Sequence, residues 1–274
     1  MFGSAVIVFR EVLEAALIIG VIAAATRNVP GRSRWLGAGL FAGLAGAAMV
    51  AWFTEAIAAM AEGLGQEVFN ASILGIAVAM LAWHNIWMSA HAAELSARAK
   101  AAGLAISERR SECSTLLLIV GIAVLREGSE AVLFLQGIAA SEGGRSTSML
   151  FGATFGALAG AATGYATYFG LLRIPLRWFF KVTAMLVLLL AAGLAAQAAG
   201  FLIQADLLPG LVTPIWDTSG ALPEDSIAGT LLHSLIGYQA RPAGMQIGFY
   251  LATLLTIAAG MKRSGHVHAR GVGK

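Results

Sequence analysis

Two stretches of this chain set Arg-Glu-x-x-Glu inside apolar runs: FREVLEAALIIGVIAA at 9–24 and LREGSEAVLFLQGIAA at 125–140. No other feature restricts the fold as much. A charged residue at the centre of a membrane helix costs about 2.5–3.5 kcal/mol, so these six would cost roughly 15–21 kcal/mol if they faced lipid. Arg10, Glu11, Glu14, Arg126, Glu127 and Glu130 must therefore point into a bundle interior. Helix geometry permits this. At about 100° per residue, Arg10 and Glu14 lie about 40° apart one turn along, and Glu11 and Glu14 about 60° apart. Each Arg can pair with the Glu four residues later, which leaves each motif with one surplus negative charge.

The rest of the chain supplies the bundle. Hydrophobic residues make up 58% and charged residues 12%, with mean hydropathy +0.78. That is too little polar surface for a soluble enzyme, a nucleic-acid reader or a disordered scaffold. Apolar windows at 4–26, 35–60, 68–92, 115–140, 148–171, 182–204 and 245–261 predict seven transmembrane helices and a lipid bilayer as partner. Met1 to Val8 has no basic residue and the charges of the motif follow at once, so the first window reads as a retained helix, not a cleaved leader. Alternate loops and the tail hold fourteen Lys and Arg residues, and the loops between them hold only Arg145 and Arg241. The positive-inside rule then puts the N-terminus outside and the C-terminus in the cytoplasm. Cys113 is the single cysteine, which excludes an intrachain disulfide.

The two motif helices imply an internal repeat. Residues 4–92 form a first three-helix unit and 115–204 a second. A unit of three spans must invert on its second use, a transporter plan that places the substrate near the midplane between the repeats. Residues 205–244 form an outer loop with a short amphipathic helix at 223–236, its apolar stripe including Ile227, Leu231 and Leu235. A seventh helix at 245–261 and a cytoplasmic tail at 262–274 complete an all-α, polytopic membrane domain. Gly152, Gly156, Gly160 and Gly164 on span five, and Gly39 and Gly43 on span two, are spaced for close helix packing, within the subunit or along a dimer seam.

A buried surplus of carboxylate oxygen is a site for a hard cation. Glu11, Glu14, Glu127 and Glu130 are the expected metal ligands, with Arg10 and Arg126 balancing charge and gating the site. Fe(III), Fe(II), Mn(II), Mg(II) and Ca(II) all suit oxygen donors. Outward segments carry Glu62, Glu67, Glu142, Asp206, Asp217, Glu224 and Asp225, an acidic mouth that would concentrate cations. Glu67 is the leading ligand at the mouth, with Glu55 and Asp217 behind it. His84 and His91 share a helix face with Met88 nearby, which reads either as an iron relay or as a buried, hydrogen-bonded His84.

Two Arg-Glu-x-x-Glu helices in a seven-span chain resemble the oxidase-dependent iron permeases, the high-affinity iron transporters of fungi and their bacterial relatives. The resemblance extends to Ile86-Trp87-Met88, Trp216-Asp217-Thr218-Ser219 and Gly237-Tyr238-Gln239-Ala240-Arg241-Pro242. It implies iron uptake through a bacterial cytoplasmic membrane, with the motif glutamates binding Fe(III) or Fe(II) as transported substrate and no tightly bound cofactor. It also implies an extracytoplasmic iron oxidase or iron-binding protein. The first span begins at once after Met1, so no fused domain of the kind some bacterial members carry is expected, and that partner is expected to be a separate protein; oligomeric state is left open. Two competing readings stay in view: an intramembrane metal-dependent enzyme, against which no His-Glu-x-x-His or Gly-x-Ser-x-Gly occurs, and a carrier of another hard divalent cation such as Mn or Mg.

Overall fold

The computed structural model describes residues 1–60, 65–108, 113–141, 147–170, 176–224 and 226–271. Glu62, Glu142, Arg145 and Asp225, named above for the outer mouth, lie outside the described residues. Within them the chain is all-helical: α1 (Phe2–Ala25), α2 (Arg32–Met60), α3 (Gln66–Ser107), α4 (Ser114–Ser141), α5 (Thr147–Tyr168), α6 (Leu176–Gln204), α7 (Ile227–Ile236) and α8 (Gly244–Gly271). Five segments are long and apolar enough to cross a membrane: Arg32–Ile57, Gln66–Met88, Thr147–Tyr168, Phe180–Gln204 and Gly244–Ser264. The protein is thus an integral, multi-pass membrane protein. Helices α1 and α4 have 24 and 28 residues, enough length for a span, but each carries the three charges of its motif.

Glycine sets the packing. Gly152, Gly156, Gly160 and Gly164 form one edge of α5, where an added Cβ would strike Met1 O, Ala5 O, Phe9 O and Ala16 Cβ of α1 in turn. The order of these contacts shows that α1 and α5 run parallel, with their backbones nearly touching. On α2, a Cβ at Gly39 would lie 2.8 Å from Leu117 O of α4, and one at Gly43 would lie 2.6 Å from Val124 Cβ. The α1–α5 pair therefore has a counterpart in α4–α2. Without a hydrophobic drive between helices in lipid, such close approach supplies van der Waals contact instead. Both glycine seams are intramolecular.

Helices α1 and α4 run antiparallel. Gly3 lies beside Ile138, and Ile22 shares a buried cluster with Leu116 and Val120. The midpoints of the two helices, where the motifs sit, are thereby brought together. Helices α3, α6 and α8 pack on one another and close the other side. Their shared core includes Leu74, Leu81, Leu190, Leu194 and Ile257, with Ile7 of α1 and Phe134 of α4.

Three extents differ from the sequence reading. Residues 93–107, expected in a loop, continue α3 to Ser107. Alanine, lysine, arginine and glutamate dominate there, all strong helix formers, and Glu94 pairs with Arg98 at 2.5 Å. Polarity marks where the chain leaves the apolar layer, not where the helix stops. Helix α8 likewise runs on to Gly271, through most of the expected tail. Helix α7 begins at Ile227 rather than at 223, because Ser226 is the N-cap: its Oγ accepts from the Gly229 N–H at 2.9 Å. Ile227 is 85% exposed, whereas Leu231 and Leu235 of the expected stripe are half-buried.

Candidate metal centre

The middle of α1 and the middle of α4 meet at four carboxylates. Glu11, Glu14 and Glu127 are buried and Glu130 is 18% exposed at its side chain. Arg10 Nε donates to Glu14 Oε1 at 2.9 Å, and Arg126 Nε donates to Glu130 Oε1 at 3.0 Å. These are the i,i+4 pairs that the spacing favours. They leave Glu11 and Glu127 facing each other within hydrogen-bonding reach. Oε2 of each is buried and has no hydrogen-bond partner. Two such carboxyl groups in an oily interior repel unless a proton or a cation lies between them.

Helix α3 adds a nitrogen donor. His84 is 3% exposed and sits between the motifs: its Nε2 is 3.6 Å from Glu14 Oε2, and its Nδ1 contacts Glu130 Oε2. Two overlapping sets, Glu11–Glu14–His84 and Glu11–Glu127–Glu130, each offer one ligand atom per residue, all within 4.8 Å of one another. Carboxylate oxygens with one imidazole suit a first-row divalent cation better than a soft ion.

In the sequence Asn85 is only a neighbour of His84, with no role of its own. Its Oδ1 accepts from Arg10 Nη1 at 3.1 Å while its Nδ2 donates to Ala184 O at 3.1 Å, tying the first motif to α6. Asn85→Leu removes the acceptor for a buried guanidinium and leaves Ala184 O without that donor. The expected cost is about 1–3 kcal/mol, read as a lower unfolding midpoint in detergent; an unchanged midpoint would show that Arg10 needs only Glu14.

The two motifs are not equivalent. Arg10 is 3% exposed at its side chain, but Arg126 is 37% exposed and lies over the Trp87 ring at 4.6 Å, with Trp87 stacked on His91 at 4.8 Å. On the Arg10 side, Ile7 (1% exposed) and Phe134 (0%) close the site. From Glu11 and Glu127 a cleft of about 550 Å³ runs between the α1–α5 and α4–α2 pairs toward Ala23, Tyr168 and Phe169.

Of the other residues singled out, Met88 lies one turn beyond His84 and is half-buried. Glu67 is exposed at the start of α3, about 25 Å from His84 along the helix. Glu55 on α2 accepts from Gln136 Nε2 of α4 at 3.5 Å. Asp217 accepts from Ser219 Oγ at 2.5 Å and pairs with Arg241 at 3.0 Å. Those hydrogen bonds, with Ser219 foremost and Arg241 after it, hold its carboxyl down to about 2 from the usual 3.8. The loop clasp it forms thus persists above the usual carboxylate range and is lost only as pH falls through about 2.

No solved structure is similar enough to the chain to be matched. Ferrous iron permease EfeU of Yersinia pestis is 31% identical over 260 residues, covering 93% of this chain and 91% of the relative. Ferrous iron permease EfeU of Escherichia coli O157:H7 is 31% identical over 289 residues, covering 98% and 99%. The iron permease FTR1 family matches residues 1–261. With that match over nearly its whole length, the chain belongs to the iron permease FTR1 family.

Proposed function

We propose that this protein carries iron ions into the cytoplasm, and that Glu11, Glu14, Glu127 and Glu130 with His84 hold the ion midway. The observation that carries the reading is the facing pair Glu11 and Glu127 at the centre of an apolar bundle: Arg10 is taken up by Glu14 and Arg126 by Glu130, and Arg126 reaches Glu127 only at 3.8 Å, so two arginines face four acids. The names of the relatives specify ferrous iron, and a carboxylate–imidazole set fits Fe(II).

Seven spans arranged as two inverted repeats, with α1 and α4 as the first and fourth, account for the packing. Helices that alternate in direction put α1 parallel to α5 and α2 parallel to α4, the directions in which their glycine seams run. The site then falls at the repeat interface near the midplane. The positive-inside rule favours Arg27, Arg32 and the lower end of the cleft on the cytoplasmic side, and the bacterial relatives support a bacterial inner membrane. In this reading Ile7 and Phe134 close the outer side, and the cleft, lined at its far end by the exposed Leu40, Leu44, Tyr165 and Phe169, leads sideways and toward the inner side. Transport is alternation between this state and its mirror. An extracytoplasmic iron-binding protein would deliver the ion.

Purified protein in liposomes, given external radioactive Fe(II), is expected to accumulate it; no uptake above empty liposomes would remove the proposal. Carboxylates that release iron take up protons in exchange, so collapsing an imposed pH gradient is expected to cut uptake several-fold. Equal uptake with and without the gradient would exclude that exchange.

A further inference from the structure

About 10–16 Å from the carboxylates along the antiparallel α1 and α4, on the Arg10 side, lies a small cavity with polar side chains on one wall and Ile138, Leu190 and Leu194 on the other. It has a volume of about 30 Å³, and Gly3, Ser141, Gln197 and His233 are among its lining residues. Roughly 10–15 Å³ suffices for one water, so a single small ion fits. Ile7, Phe134 and Leu190, all nearly fully buried, separate it from the carboxylate cluster.

The chemistry of the cavity is set by His233. Its Nδ1 is 2.8 Å from Tyr238 O, and a carbonyl only accepts, so Nδ1 carries the proton and Nε2 of the neutral ring presents a lone pair. This is the arrangement in which a metal-binding imidazole is held ready. Gln197 Nε2 now donates to that lone pair at 2.7 Å, which leaves Gln197 Oε1 buried without a hydrogen-bond partner. Rotating the amide would bring Oε1 round to the same side as His233 Nε2, giving one nitrogen and one oxygen donor at a single point. Ser141 Oγ, whose proton goes to Ile138 O at 2.8 Å, retains lone pairs facing the same space. The supporting backbone is firm: α7 ends at Gly237 (φ 71°), whose Cα packs against Gly193 of α6.

We propose that His233 Nε2 and Gln197 Oε1 form a second, weaker station for a divalent cation on the outer side of the apolar layer, where the ion waits before Phe134 and its neighbours part. The donors are neutral, so the ion is held without a counter-charge and leaves readily, as a pathway with successive sites requires. The inference rests on the permease reading, which places α7 outside.

The test loads liposome-reconstituted protein with Fe(II), then adds ascorbate and peroxide so that bound iron oxidises the side chains around it. Mass spectrometry maps that oxidation as the excess over soluble Fe(II)–EDTA. Excess oxidation is expected around His233 and Tyr238 and, separately, around Glu127. Gln197→Leu and His233→Ala should abolish the first and keep the second. Both should raise KM for Fe(II) uptake about tenfold with the maximal rate within about twofold, whereas a merely structural loss of α7 docking would lower the maximal rate. Oxidation at Glu127 alone, or an unchanged KM in both variants, overturns the second station and leaves the permease reading in place. Oxidation at neither place, with no uptake by the unaltered protein, overturns both.

Discussion

Glu11→Gln is expected to reduce iron uptake by more than about 100-fold while leaving the folded protein as stable as before, or more so. Loss of partners that merely orient a metal ligand costs 10–100-fold, so loss of a ligand itself should exceed that range. The stability half of the prediction separates function from architecture. Among the described residues no ion pair joins Glu11 to a guanidinium; Arg10 is committed to Glu14 and Asn85. Glu11 instead faces Glu127, and two carboxylates 4 Å apart repel by about 4 kcal/mol at an effective dielectric of 20. An amide of the same shape donates a hydrogen bond across the pair at any pH, whereas the acid pair escapes repulsion only by holding a proton or a cation. A protein that retains an unfavourable pair does so for activity, the usual conflict between stability and function. Uptake in liposomes and the unfolding midpoint in detergent check the two halves together. A variant that melts early and still transports would make Glu11 a structural acid.

A large effect on stability is expected at Gly160 of α5, the seam glycine that packs on the motif turn of α1. A Cβ there would lie 2.7 Å from Phe9 O, 3.1 Å from Val12 Cβ and 3.2 Å from Leu13 N, in the turn of α1 that carries Arg10 and Glu14. Backbone cannot yield as a flexible side chain does, so Gly160→Ala should cost about 1–3 kcal/mol. Gly160→Leu should leave no folded protein to purify. Gly37 of α2 is the matched control: nothing lies within 4 Å of its Cβ position, so Gly37→Ala should be neutral or gain up to about 1 kcal/mol of helix propensity. Because the α5 seam is intramolecular, the loss at Gly160 should not depend on protein concentration. A concentration-dependent loss would place a subunit boundary there.

The motif glutamates were legible because charge inside an apolar run has few explanations. Their pairing followed from helical spacing, and the glycine seams from a small-residue period of four. His84 was harder to read. A lone histidine on an apolar helix fits a buried hydrogen bond as well as a metal ligand. Only the crossing of α3 over the α1–α4 contact brings it between Glu14 and Glu130, and that crossing depends on contacts far apart in the chain. The role of Asn85, beside His84, was hidden for the same reason, since both of its partners, Arg10 and Ala184, are remote in sequence. Gln197 and His233 belong to different segments, and nothing local links them. The helical extensions of α3 and α8 were missed because hydropathy records the edge of the membrane, whereas helix propensity continues past it. Glu67 and Asp217, read as acids of an outer mouth, are both exposed, Glu67 about 25 Å from His84 along α3 and Asp217 paired with Arg241.

Crystals soaked in Fe(II) and measured at the iron absorption edge would address the centre itself. One anomalous peak is expected between α1 and α4, within coordination distance of Glu11 and Glu127 and bordered by Glu14, Glu130 and His84. A well-loaded crystal whose iron peaks lie only on surface acids, with Glu11 and Glu127 in direct contact and no density between them, would contradict it.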